Sequence, residues 1–170
     1  VTIASFQKPL LRATDFTPTQ FDDGAAKADF GNRLLAFIAT DFPHTRFTLG
    51  FYRILSLHFG MIAHYDIHGF WEEYFTTTAD RLRFLKELVA YPSWGNPAFT
   101  FSDVERVVIA RLRSAGLVER LHKVAEQEAE AAERALLNHL QARYQPGKAP
   151  VAETPRRTVG NWASDQGSLL

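Results

Sequence analysis

Between Phe47 and Tyr65 the chain carries one charged side chain, Arg53, and its apolar positions recur at helical spacing. Phe47, Phe51, Ile54, Leu55, His58, Ile62 and Tyr65 fall on one stripe; Leu57, Met61 and His64 fall on another. A helix apolar on nearly all sides is buried, so the pattern predicts a central helix here. Upstream, Phe30, Leu34, Phe37 and Ile38 mark an earlier helix that Pro43 stops. Downstream, "GFWEEYF" sets Phe70, Trp71, Tyr74 and Phe75 on one side of a short helix. "TTTADRLRFLKELVAY" then reads as an amphipathic helix, with Thr78 as its N-cap and Leu82, Leu85, Leu88 and Val89 facing inward.

The next helix has both ends written in sequence. Ser102 and Glu105 fit the S-x-x-E capping box, and Gly116 supplies a left-handed residue after the last turn. Leu112 and Leu117 stand where the apolar contact of such a stop belongs. From Leu117 to Tyr144 one long helix is predicted, with Leu121, Ala125, Ala132, Leu136 and Leu140 as a narrow apolar stripe. Glu126, Glu128, Glu130 and Glu133 make its opposite surface acidic.

Residues 1–22, with Pro9 and Pro18 and no sustained period, read as an irregular N-terminal arm with a short extended piece at Val1–Phe6. Residues 145–170 are rich in Pro, Gly, Ser and Thr and are expected to be disordered unless a partner orders them. The expected fold is all-α: a helical domain over residues 23–144, a compact bundle of about five or six helices, with a long C-terminal helix and irregular ends.

Composition sharpens this picture. A chain of 170 residues suits one domain with a real core, and 14 phenylalanines predict that the core is dense in rings. Nineteen basic residues balance 19 acidic ones, which weighs against a wholly electrostatic nucleic-acid binder. With no cysteine, disulfides, thiolate ligands and a cysteine nucleophile are excluded, and a reducing compartment fits. "VTIASFQKPLLRATDF" lacks the basic region and apolar run of a signal peptide, and no stretch reads as a membrane span. The cytoplasm is the expected location.

Three features bear on function. In "HFGMIAHYDIHGFWEEYF" an unbroken helix would put His64, His68 and Glu72 on one face, a plausible divalent-metal set with Asp66 orienting an imidazole. Against this, Gly69 is expected to break that face, and His64, Asp66 and His68 then serve only to end the central helix. The plainer reading is preferred, and no metal or other cofactor is expected. Glu72 and Glu73 diverge by about 100° on a helix, too far to share a substrate, and no nucleophile or phosphate-loop motif occurs. An enzyme is the minority reading.

The second feature is the hairpin 103–123, where Arg106, Arg111, Arg113 and Lys123 could meet phosphates. The glutamates that follow would oppose DNA, so nucleic-acid binding ranks below protein contact. The third is the long helix itself, whose alanines permit close helix–helix approach. The leading expectation is an accessory or regulatory protein acting through protein–protein contacts, with a partner protein or a second copy held by that helix.

Overall fold

The computed structural model describes residues 6–58, 66–90 and 95–144. Its helices are α1 (Gly24–Ala39), α2 (Leu49–His58), α3 (Ile67–Tyr74), α4 (Thr78–Ala90), α5 (Ser102–Ser114) and α6 (Leu117–Tyr144). Among the described residues there is no strand. The chain forms two compact units, Val1–Ala132 and Glu133–Leu170.

The centre of the first unit is α1, not α2. Ala28, Phe30, Gly31, Leu34, Leu35, Phe37 and Ile38 are all buried, because α1 packs on α5 and on a 3-10 turn at Ala13–Asp15. In α2, Phe51 and Leu55 are buried as expected, but Leu49 and Leu57 are exposed, Leu57 by 75 %. One face of α2 thus serves the core. His58 is the last described residue of that helix, and its side chain, like residues 59–65, lies outside the described residues.

Residues 6–22 are irregular, yet they belong to the core. Phe6, Leu11 and Phe16 are buried. Asn32 of α1 pins the segment from both sides: its Oδ1 accepts from Leu11 N–H at 2.9 Å and its Nδ2 donates to the Leu11 carbonyl at 3.0 Å. Arg111 of α5 donates to the carbonyls of Phe6 and Gln7 at 3.3 and 3.2 Å. An irregular segment carries backbone polar groups that need partners, and these side chains supply them.

Rings fill the centre, as the phenylalanine content predicts. Phe75, fully buried, lies 4.9 Å from Phe84, 5.1 Å from Phe37, 5.3 Å from Phe47 and 5.4 Å from Phe42, centroid to centroid. Four segments therefore meet on one ring at the end of α3. Edge-on and offset pairs of this kind each add about 0.5–1.5 kcal/mol beyond the area they bury.

Helix ends explain several boundaries. Asp66 begins α3 rather than ending the helix before it: its carboxylate accepts from Gly69 N–H at 2.8 Å. The helix runs through Gly69, whose cost of roughly 1 kcal/mol is offset by that cap and by burial of Phe70. At α4 the cap is Thr77, one residue before Thr78. The hydroxyl oxygen of Thr77 accepts from Asp80 N–H at 3.1 Å, while the Asp80 carboxylate accepts from Thr77 N–H at 3.1 Å. Ser102 is the first residue of α5, with Phe101 before it, and its hydroxyl donates to the Gly95 carbonyl at 2.6 Å. The expected capping box is thus displaced by a loop contact. At the other end Gly116 is left-handed, φ 56°, with its N–H on the Arg113 carbonyl, and Leu112 and Leu117 are buried around it. The predicted stop of α5 and the full length of α6 are both observed.

Candidate functional site

The predicted metal set is only partly described. His68 and Glu72 stand one turn apart on α3 with exposed side chains. Asp66 is occupied as the cap of α3, and His64 lies outside the described residues. Among the described residues no group of three or more His, Cys, Asp and Glu is placed to hold a metal ion. Glu73 is tied to Arg83 at 2.6 Å, whereas Glu72 is exposed, so the two neighbouring carboxylates have separate surroundings.

Arg83 organises the corner between α3 and α4. It reaches Glu73, donates to the Glu73 carbonyl, meets Asp80 at 3.3 Å and lies 5.5 Å from the centre of the Tyr74 ring. Burial pushes the Tyr74 phenol up to about 12, and Glu87, which accepts its hydrogen bond, acts in the same sense. The Thr77 hydroxyl, bonded to Asp80, holds that carboxyl below its ordinary range. A phenol kept neutral and a carboxylate kept charged suit a structural joint.

The candidate nucleic-acid residues are divided. Arg106 and Arg111 line an open groove of about 620 Å³ beside α5, together with Phe6, Lys8, Val107, Ala110, Ser114 and Ala115. Arg113 donates instead to the Val89 carbonyl of α4 at 2.9 Å and lines a different depression with Lys86 and Glu119. Lys123 is exposed on α6. Helical spacing alone could not reveal this division, because it depends on which neighbouring carbonyls the guanidiniums reach.

One buried ion pair escaped the sequence reading. Lys27 is fully buried on α1, and its ammonium donates to the Pro97 carbonyl at 2.7 Å and to Asp103 at 3.1 Å. It also lies 5.5 Å from the centre of the Phe101 ring. The signal was present: Lys27 precedes Phe30 by three residues and Leu34 by seven, which puts it on the apolar stripe of α1.

The long helix presents an exposed apolar pattern among the described residues. Leu117 is buried, Val118, Leu121 and Ala125 are partly covered, and every residue from 126 to 144 is exposed. Leu136 and Leu140 are exposed by 58 % and 40 %, and Leu137 and Tyr144 are exposed as well. Among the described residues no helix is long and apolar enough to cross a membrane. Comparison with protein-family models, curated proteins and solved structures returned no match.

Proposed function

We propose that this protein works through protein–protein contact, and that α6 makes the contact with a second copy of the chain in antiparallel pairing. The observation that carries the reading is the exposure of Leu136 and Leu140 on a helix with all its residues from 126 onward in solvent. An amphipathic helix gains stability chiefly by packing its apolar face, and beyond Ala125 no described residue covers that face.

Charge favours a second copy, and an antiparallel one. Glu126, Glu128, Glu130 and Glu133 make the first turns of the exposed stretch acidic, while Arg134 and Arg143 make the later turns basic. Parallel copies would set like charges side by side. Antiparallel copies bring opposite signs together and close by a two-fold axis. Ala125, Ala129 and Ala132 leave room for close approach of two backbones.

Light scattering over a concentration series tests the reading. The expected mass is twice that of the chain, falling to one chain in the Leu136→Asp/Leu140→Asp variant and shifting toward one chain at high salt. A wild-type monomer at every concentration, or a dimer indifferent to the double substitution, would exclude this use of α6.

A further inference from the structure

The groove beside α5 is basic among the described residues. Lys8, Arg106 and Arg111 line it, the described lining contains no acidic side chain, and none of the three is in an ion pair with a described acidic residue. Two of these cations are held in place from behind. Arg111 is fixed by the Phe6 and Gln7 carbonyls, and Arg106 Nε donates to the Ser102 carbonyl at 3.1 Å. Each guanidinium keeps further donors, so ordering it for a ligand costs little. Val107 and Ala110 add apolar surface to the lining, and Phe6, itself buried, lines the groove as well. The volume of about 620 Å³ is that of a small-molecule site.

We propose that this groove binds an amphipathic carboxylate, an anionic head on a short apolar tail. The head would lie against Arg106, whose planar fork matches a carboxylate in two-point contact, with Lys8 and Arg111 adding charge to the groove. The tail would lie along Val107, Ala110 and Phe6. A purely polar anion would leave that strip wet, and an uncharged lipid would leave the cations unused. Charge complementarity together with an apolar floor selects the combination.

Decanoate, held below its micelle-forming concentration, is the probe, followed by titration calorimetry on the full chain. Decanol and inorganic phosphate test the tail and the charge alone, and decyl phosphate tests the choice of head. Decanoate is expected to bind one-to-one, about tenfold or more tighter than decanol, as hydrogen bonds to a charged group imply. Inorganic phosphate should give no saturable heat, and decyl phosphate should bind no tighter than decanoate. Lys8→Gln/Arg106→Gln should weaken decanoate about tenfold and flatten its salt dependence. Arg111 is left intact because it holds the N-terminal segment. Ala110→Phe, at an exposed position of α5, should block the tail with the cations untouched. Light scattering on the same samples should show an unchanged mass. Decanol binding as well as decanoate, tighter binding of decyl phosphate, or indifference to both variants would each overturn the proposal. So would a fall in mass on adding decanoate, which would make the groove a seat for another copy.

Discussion

The ammonium of Lys27 stands 3.1 Å from Asp103 Oδ1, joining α1 to the first turn of α5 with the lysine side chain entirely out of solvent. The two partners are not equivalent. Asp103 also accepts from the backbone N–H groups of Thr17 at 3.0 Å and Val104 at 3.0 Å, so it keeps donors if the lysine is removed. Among the described residues, Lys27 would keep the Pro97 carbonyl and the Phe101 ring if the aspartate were removed.

Asp103→Ala should therefore cost about 3–5 kcal/mol, the usual loss when one member of a buried pair is left behind. Lys27→Met should cost less, and the double variant Lys27→Met/Asp103→Ala should be more stable than Asp103→Ala alone. Urea unfolding of the three variants gives the comparison. Equal losses from the two single substitutions would contradict the asymmetry.

A second relationship sits at the other end of α1. Asp41 and Phe42 both have positive φ, 63° and 53°, in a stop whose N–H groups reach the Ile38 and Phe37 carbonyls. Asp41 is also paired with Arg81 at 2.9 Å. Asp41→Gly relieves the backbone but loses an exposed ion pair worth about 0–1 kcal/mol, so stability should change by less than about 1 kcal/mol. Asp41→Val, branched at Cβ in a left-handed residue, should lose about 1–2 kcal/mol or more. Thermal melts that rank valine equal to glycine would remove backbone conformation as the reason.

Much of this architecture is legible in the sequence because it depends on local rules. The stop at Gly116, the extent of α6 and the inward face of α4 follow from periodicity and from one residue's conformational preference. The remainder depends on which of several possible partners each group meets in the fold. Thr77 rather than Thr78 caps α4 because Asp80, three residues beyond Thr77, reciprocates. Asp66 reads equally well as the end of one helix or the start of the next, and only the Gly69 N–H decides between them. The apolar runs of α1 and α2 look alike as patterns. Asn32, Arg111 and the segment 6–22 cover the first and leave part of the second exposed, and no period in the sequence encodes that choice. The groove was hidden for the same reason, since Lys8 and Arg106 are far apart in the chain and line one groove only in the fold.

Tyr74 predicts an alkaline response. Its folded-state pKa is raised from 10.0 to about 12, chiefly by burial and then by Glu87. Between those values the unfolded chain releases a proton that the folded chain retains, so stability should fall as pH rises through that window. Tyr74→Phe should lessen the fall, and phenolate absorbance should record a late titration in the wild type. An unchanged pH profile in Tyr74→Phe would assign the alkaline loss to other groups. At acid pH the sign reverses at Asp80, whose lowered pKa contributes stability that is lost as pH falls through the folded value.

The last prediction concerns how closely residues 6–22 approach α1. A Cβ built on Gly24, the first residue of α1, would lie 2.2 Å from the Ala13 carbonyl oxygen, a backbone atom that cannot step aside alone. A Cβ on Gly31 would meet Leu11 Cδ1 at 2.6 Å and Val104 Cγ1 at 3.0 Å, both ends of side chains that can rotate. Helix propensity favours alanine over glycine by about 1 kcal/mol at interior positions, so propensity alone predicts a gain for Gly31→Ala and at worst little change for Gly24→Ala. Packing predicts losses, with Gly24→Ala the larger at about 1–3 kcal/mol or more, because the 3-10 turn at Ala13–Asp15 must move as a piece. Hydrogen exchange should then show faster opening of residues 6–22 in Gly24→Ala than in Gly31→Ala. A stabilised Gly24→Ala would mean that the N-terminal segment does not rest on α1 in solution.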